Sequence, residues 1–291
     1  MQIRRVQVEG ESGSHDLSFT DWGAPDAART VVCVHGLTRN GRDFDHLAAA
    51  LSADARVICP DIIGRGRSDR LADPEQYALP TYIAHMIQLI ERLGLGDHAA
   101  GADQRRGVDW VGTSMGGLIG MALAAQKDAP VAKLVLNDAG PVVAKVALER
   151  IGQYLGKAPS FPSVAAAEQV VRATAAPFGP HTDAEWRFLT EVVLRKNPDG
   201  SWRFHYDPKI AEPYRQQMPD KDLEMWPLWD AVSCPTLVIR GAQSDLLSRE
   251  TAQAMTQRGP KAKLVELPGI GHAPTLLHRD QIALVAEFLT S

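Results

Sequence analysis

The hydrophobic and polar positions of this chain predict a hairpin and then alternating strands and helices. Residues 2–9 and 15–22 alternate apolar and polar side chains around the polar stretch 10–14, which predicts a β-hairpin. Short apolar runs follow, as in strands that are buried on both faces of a sheet. These strands are predicted at 30–34, 56–59, 108–112, 133–136, 236–239 and 263–267. Helical spacing of apolar positions separates most of them, at 44–51, 81–93, 118–126, 250–258 and 281–289.

This alternation predicts a mostly parallel sheet with helices on both faces, and one long segment interrupts it. Between residues 142 and 230 the apolar positions have helical spacing at 142–155, 163–176, 183–195 and 208–217, with one weak strand signal at 202–206. We therefore predict an α/β core formed by residues 1–141 and 231–291, and an inserted helical cap at 142–230. The polar connection 99–107 is predicted to be a surface loop.

A serine stands at one of the predicted transitions from strand to helix. The apolar run 108–112 ends at Gly112, Ser114 and Gly116 follow, and a helical pattern begins immediately afterwards. Gly-x-Ser-x-Gly between a strand and a helix is the pattern of a nucleophile elbow, because the tight turn exposes the serine hydroxyl and residues without Cβ let the backbone pass closely. Ser114 is therefore the candidate nucleophile.

A serine hydroxyl needs a base, and the base needs an acid to orient it. In a parallel α/β sheet such groups lie at the carboxyl ends of strands. His272 follows the last predicted strand and is the candidate base. Asp245 follows the strand 236–239 and is the favoured acid, in the order serine, aspartate, histidine. Asp138, directly after the strand 133–136, is the competing acid, although it could instead cap its own turn.

The predicted oxyanion hole uses two backbone N–H groups. The N–H of Met115 follows the serine, and the N–H of Leu37 lies in the loop after strand 30–34. Arg39 and Asn40, just beyond this loop, could orient a substrate carboxylate. His35 is a further candidate for substrate binding, although we expect it to brace the loop rather than to take part in chemistry.

Composition and charge exclude several classes of function. The chain has 291 residues, 45% hydrophobic and 23% charged, with a formal net charge of −4 and no basic run, so we expect no nucleic-acid partner. No stretch approaches 18 uncharged apolar residues, and the N-terminal residues lack the apolar segment of a secretory signal, so no membrane association is expected.

The cysteines and the spaced glycines of one loop bear on whether the protein binds a metal or a cofactor. Cys33, Cys59 and Cys234 have no metal-ligand spacing, and they predict buried free thiols in a cytoplasmic protein. The spaced glycines of segment 61–68 lack the Gly-Lys-Ser/Thr ending of a phosphate-binding loop, so this segment is predicted to be a tight structural turn. No cofactor or metal is expected.

Taken together, the chain resembles the α/β-hydrolase superfamily over essentially its full length. The motifs that carry the resemblance are His35-Gly36, Asp61-x-x-Gly64-x-Gly66-x-Ser68, Gly112-Thr113-Ser114-Met115-Gly116-Gly117, the segment 241–245 and Gly271-His272. The resemblance implies an eight-stranded sheet, a helical cap between strands six and seven, and a Ser114–Asp245–His272 triad beneath the cap. Small bacterial esterases, enol-lactonases and the hydrolases of meta-cleavage products are the most similar members.

These residues favour hydrolysis of a small carboxylic ester or lactone through an acyl-enzyme. Hydrolysis of a C–C bond in a meta-cleavage-type diketone is an alternative, although the loop at His35 lacks the glycine-proline-rich sequence of those enzymes. A non-catalytic receptor for a small ligand is an alternative of another class, and acyl transfer or perhydrolysis is a third. The sequence leaves the natural substrate and the oligomeric state open, with a homodimer as one alternative.

Overall fold

A mixed sheet of eight strands forms the centre of the molecule. The computed structural model describes residues 1–95 and 107–291. In chain order the strands are β1 (Gln2–Gly10), β2 (Gly13–Trp22), β3 (Thr30–Val34), β4 (Arg56–Pro60), β5 (Val108–Thr113), β6 (Val131–Asn137), β7 (Val142–Val143), β8 (Leu194–Lys196), β9 (Trp202–Phe204), β10 (Leu223–Glu224), β11 (Thr236–Gly241) and β12 (Lys263–Leu267). The order across the large sheet is β1-β2-β4-β3-β5-β6-β11-β12.

Only β2, the second strand of the hairpin, runs against the rest of this sheet. β1 pairs antiparallel with β2, and β2 pairs antiparallel with β4, whereas all pairs from β4 to β12 are parallel. The predicted hairpin and the six predicted buried strands are all present, with ends that differ by at most two residues. Because β3, β5, β6, β11 and β12 are parallel, their carboxyl ends meet at one edge of the sheet.

Helices cover both faces of the sheet. They are α1 (Asp45–Leu51), α2 (Leu79–Arg92), α3 (Met115–Ala124), α4 (Lys145–Tyr154), α5 (Val164–Thr174), α6 (Asp183–Glu191), α7 (Ala211–Gln216), α8 (Trp226–Ala231), α9 (Arg249–Met255) and α10 (Arg279–Thr290). Consecutive residues of β3 pack into different clusters, since Val32 and Val34 join one hydrophobic core, and Val31 and Cys33 join another. This two-sided burial explains the continuous apolar runs that predicted the strands.

The segment between β6 and β11 contains more strand than the sequence indicates. The predicted helix 142–155 begins only at residue 145, because Val142 and Val143 pair with β10. The predicted helix 183–195 ends at residue 191, and β8 begins at residue 194 and pairs with β9 across the turn at 197–200. Strands of two or three residues are too short to produce a hydrophobic period, which explains why the sequence indicated only one weak strand in this segment.

The division into core and cap stays a prediction. The loop predicted at 99–107 lies outside the described residues, except for Gly107.

Candidate active site

Ser114 lies at a sharp turn between a strand and a helix. β5 ends at Thr113 and α3 begins at Met115, so Ser114 alone connects them, with φ 52° and ψ −117°. A side chain at this positive φ is unusual for a residue other than glycine and indicates a strained turn. A Cβ at Gly112 would lie 2.2 Å from the carbonyl oxygen of Gly116, which explains why the strand can turn here only with glycine. The elbow expected from the sequence is therefore formed.

His272 connects the serine with an aspartate. Its Nε2 lies 2.9 Å from the Oγ of Ser114, and its Nδ1 lies 2.7 Å from the Oδ2 of Asp138. The neutral tautomer with a proton on Nδ1 satisfies both contacts, because Nδ1–H then donates to the carboxylate and Nε2 accepts the serine proton. This arrangement has the connectivity that a serine nucleophile needs.

Asp138 is held rigidly below the histidine. It follows β6 directly, its side chain is fully buried, and its φ of 52° is again in the left-handed region. The backbone N–H of Gly241 donates to Oδ1 over 3.0 Å, and the hydroxyl of Ser244 donates to Oδ2 over 2.6 Å. Ser244 itself accepts hydrogen bonds from two further backbone N–H groups, at 3.1 and 3.2 Å. The carboxylate therefore has several donors that fix its position.

Asp245, the favoured acid in the sequence analysis, does not contact His272, and this prediction was wrong. Its carboxylate binds both Nε and Nη2 of Arg150 on α4, at 2.5 and 2.9 Å, and its side chain is 40% exposed. The turn after β11 directs Ser244 toward the buried side and Asp245 outward. Ser244 and Arg150 could not be recognised in the sequence, because a serine in a loop and an arginine on a helix carry no distinctive spacing.

The two expected oxyanion donors lie close to the serine. Met115 is the first residue of α3, so its N–H has no acceptor within the helix. The loop that contains Leu37 passes beside Ser114, since a Cβ on Gly36 would lie 3.7 Å from the serine Cβ. The carbonyl of Leu37 accepts a hydrogen bond from Arg65 over 2.9 Å, and the carbonyl of Gly36, which shares a peptide with the Leu37 N–H, lies 2.7 Å from Nδ1 of His35. Their role in binding an oxyanion stays a prediction.

The remaining candidate residues differ in what they can reach. His35 is fully buried, accepts the N–H of Ile62 and lies 2.7 Å from the carbonyl of Gly36, and burial lowers its pKa to about 3. Asn40 is also buried, and its amide donates to the carbonyl of Val192 over 2.6 Å. His35 and Asn40 therefore hold neighbouring backbone segments in place. Of the three candidates for substrate binding, only Arg39 lines the pocket at Ser114.

That pocket has a volume of about 330 Å³ and is lined from both the sheet edge and the segment 142–230. Its walls are largely apolar, with Ile151, Tyr154 and Phe178 from this segment. The cations that line the pocket are Arg39, Arg150 and Lys157. Arg39 is paired with Asp43 at 2.6 Å, and Arg150 with Asp245. Lys157 is exposed and forms no ion pair with any residue in the described part of the chain.

Comparison with known proteins assigns this chain to a family. The sequence pattern of the alpha/beta hydrolase family matches residues 31–287. The chain belongs to the alpha/beta hydrolase family. It is 45% identical to a 3-hydroxybutyrate-oligomer hydrolase of Cupriavidus necator, over 98% of this chain and 96% of the relative. It is 29% identical to esterase YbfF of Escherichia coli, over 83% of this chain and 85% of the relative. A solved alpha/beta hydrolase of Novosphingobium aromaticivorans is 36% identical, with a TM-score of 0.86 and coverage of 99% and 98%.

The family membership confirms the predicted fold, an alpha/beta hydrolase fold with a mostly parallel sheet of eight strands flanked by helices. The relatives are hydrolases of esters and ester oligomers, which supports ester hydrolase activity on small-molecule substrates. Among the described residues of this alpha/beta hydrolase, no helix is both long and apolar enough to cross a bilayer. Its three cysteines are free, as expected, although Cys234 is only partly buried. The cytoplasmic location, the homodimer and the lack of nucleic-acid binding stay predictions.

Proposed function

We propose that this alpha/beta hydrolase is a serine hydrolase that cleaves carboxylic esters through an acyl-enzyme, with Ser114, His272 and Asp138 as its catalytic residues. The observation that carries the proposal is the continuous contact from Asp138 through His272 to Ser114, at 2.7 and 2.9 Å. A serine at the tip of a strained turn, a histidine within hydrogen-bond distance and a buried carboxylate behind it have the roles that acyl transfer requires.

In this mechanism Nε2 of His272 removes the proton of Ser114 as Oγ attacks the ester carbonyl. The backbone N–H groups of Leu37 and Met115 stabilise the negative oxygen that develops. Asp138 stabilises the imidazolium and keeps the proton on Nδ1. His272 then gives its proton to the leaving alcohol, and the acyl group stays on Ser114. A water molecule, deprotonated by His272, attacks the acyl-enzyme and releases the acid.

The preferred substrates in this proposal are short linear esters of 3-hydroxybutyrate. The support is the 45% identity over nearly the full length of both chains with a 3-hydroxybutyrate-oligomer hydrolase. Such an oligomer ends in a carboxylate, which stays on the alcohol that leaves when its last ester bond is cleaved. Arg39 and Arg150 already bind carboxylates of the protein, so Lys157 is the pocket cation that is free to bind the carboxylate of a substrate. Its contact would orient the chain so that the last ester carbonyl lies at Ser114, with the carboxylate on the side of the leaving alcohol.

The test compares the wild-type enzyme with Ser114→Ala on the 3-hydroxybutyrate dimer and on p-nitrophenyl butyrate. We expect the substitution to reduce kcat on both by about 10⁴-fold or more, because no other group can form the acyl-enzyme. Wild-type protein mixed rapidly with p-nitrophenyl butyrate should also gain the mass of one butyryl group. Near-wild-type turnover by Ser114→Ala would contradict the proposal, and faster turnover of a vinylogous diketone than of either ester would favour the C–C alternative.

A further inference from the structure

A second cavity, separate from the pocket at Ser114, lies where the sheet meets the segment 142–230. It has a volume of about 370 Å³ and shares no lining residue with the catalytic pocket. One wall is formed by the hairpin strands and the turn at 61–68, and the other by residues 191–195 and His205. The two walls are joined by hydrogen bonds, among them Asn40 to Val192 at 2.6 Å and Gly66 N–H to the carbonyl of His205 at 2.8 Å.

Arginines dominate the charge of this cavity. Arg67 and Arg195 line it, and Arg70 and Arg203 lie close enough for the charges of all four to act on His205. Burial and these four positive charges lower the pKa of His205 to about 4, so this side chain is neutral at pH 7. None of the four guanidinium groups has an ion pair among the residues that the structure describes. Other arginines of the same cavity do have one, since Arg42 pairs with Asp45 and Arg5 with Asp16.

The nearby acidic side chains already have other partners. Asp61 accepts the backbone N–H groups of Gly41 and Arg67, both at 2.8 Å, and burial raises its pKa to about 6. Glu191 binds Arg187 at 2.8 Å. Four arginines and two acidic residues line the cavity, so its lining carries a net positive charge in a protein whose net charge is −4.

Positive groups that lie close together repel each other, and this repulsion is relieved when an anion binds between them. The planar forks of arginine match the oxygens of carboxylates and phosphates. A single carboxylate brings one negative charge, whereas a phosphoryl group brings about 1.5 to 2 at pH 7 on three oxygens. The phosphoryl group therefore suits two or more unpaired guanidinium groups better, and a cavity of this volume has space for an attached organic part.

We propose that this cavity is a binding site for a phosphorylated small molecule, with Arg67 and Arg195 holding its phosphoryl group. Arg70 and Arg203 strengthen the positive potential around the anion, and the neutral ring of His205 offers a further hydrogen-bonding atom. The site is independent of ester hydrolysis, because none of its lining residues reaches the pocket at Ser114. Because the bound molecule would contact both walls, it should also stabilise the folded protein.

The experiment measures the binding of inorganic pyrophosphate, citrate and a single-stranded oligonucleotide by calorimetry at constant ionic strength. The full chain is compared with Arg67→Gln/Arg195→Gln and with a control pair, Lys221→Gln/Arg249→Gln, which removes the same charge from exposed positions outside the cavity. We expect pyrophosphate to bind the wild type and the control pair equally and the cavity pair at least tenfold more weakly. Arg195→Lys, which keeps the charge and loses the fork, should weaken binding severalfold. Pyrophosphate should raise the Tm of the wild type and of the control pair, but not that of the cavity pair.

Three results would overturn the proposal. Equal weakening in both pairs would show that only the total charge matters. Citrate that binds as tightly as pyrophosphate would show that the cavity does not select a phosphoryl group. Tighter binding of the oligonucleotide than of pyrophosphate, lost in the cavity pair, would identify a surface for a polyanion.

The Tm of each variant without ligand is measured first. We expect the Tm of the cavity pair not to decrease, because the substitutions remove the repulsion between its arginines.

Discussion

The loops after β6 and β11 leave the same edge of the sheet, and each carries an aspartate close to the strand end. Asp138 is fully buried, accepts hydrogen bonds from Gly241 and Ser244, and contacts His272. Asp245 is 40% exposed, and its partner is Arg150 of α4. Two aspartates at one edge of the sheet therefore have different partners, and the surroundings of each carboxylate determine which partner it has.

Asp138 is buried and Asp245 is exposed because a contact with a histidine and a surface ion pair have different requirements. A carboxylate that orients a histidine must keep one position and must lie where water does not weaken its field, and Asp138 meets both conditions. An exposed ion pair is screened by water and contributes little to stability, but it can still connect two elements. Asp245 thus links the sheet edge with a helix that lines the pocket at Ser114.

The largest expected effect comes from removing the charge of Asp138. Asp138→Asn should lower kcat by about 10³- to 10⁴-fold, because the amide can no longer stabilise the imidazolium or select the correct tautomer of His272. Steady-state hydrolysis of p-nitrophenyl butyrate measures the effect, and circular dichroism checks the fold of the variant. Asp245→Asn is the matched control and should keep kcat within a few-fold of the wild type. A greater loss of kcat in Asp245→Asn would reverse the roles of the two loops.

A smaller effect is expected from the residue that connects the two loops. Ser244 lies next to Asp245 in sequence, but its hydroxyl donates to Asp138. Ser244→Ala should reduce kcat by about tenfold, which corresponds to one hydrogen bond to a charged group, and should leave KM nearly unchanged. Two backbone N–H groups also lose their acceptor, so the free energy of unfolding should fall by about 1–3 kcal/mol.

Ser244→Thr separates the two consequences of that change. It keeps a hydroxyl, so it should recover most of kcat if the hydrogen bond to Asp138 is what matters. Equal kcat values for Ser244→Ala and the wild type would mean that Gly241 and the backbone hold Asp138 without help.

Much of this architecture could be predicted from the sequence, but which of the two aspartates contacts His272 could not. Continuous apolar runs reveal strands such as β3 and β11 because both faces of those strands are buried. Ser114 and His272 are recognisable because their spacing from glycines and strand ends restricts where they can lie. Asp138 and Asp245 both follow strands that end at the same edge, so sequence position does not distinguish them. Which carboxylate points inward depends on the bend after Gly241, a property of the folded backbone.

The pairing of charges could not be predicted either. Arg39 and Asn40 were candidates for binding a substrate carboxylate, but Arg39 is paired with Asp43 and Asn40 is buried against Val192. Both contacts depend on where other elements lie. Lys157 has no recognisable motif, and it becomes a candidate only once the neighbouring cations are seen to be paired.

The proposed role of Lys157 gives a third prediction, with an effect of a few-fold. Lys157→Gln should raise KM for the 3-hydroxybutyrate dimer about fivefold relative to KM for its methyl ester, as expected for one contact between exposed charges. The ratio of the two KM values is the measurement, because it cancels changes in the chemical step. Lys221→Gln removes a lysine of the same segment that does not line the pocket, and its ratio should stay that of the wild type. An unchanged ratio in Lys157→Gln would leave the carboxylate without a binding partner there.

The smallest effect is expected for the ion pair that Asp245 forms with Arg150. A double-mutant cycle with Arg150→Gln and Asp245→Asn should give a coupling energy below about 1 kcal/mol in the free energy of unfolding, because both side chains are partly exposed. Urea unfolding at low salt and at 1 M salt measures the coupling, which should nearly vanish at the higher concentration. A coupling energy above about 3 kcal/mol that is insensitive to salt would show that Asp245 behaves as a buried acid like Asp138. In that case exposure would no longer explain why only Asp138 serves His272.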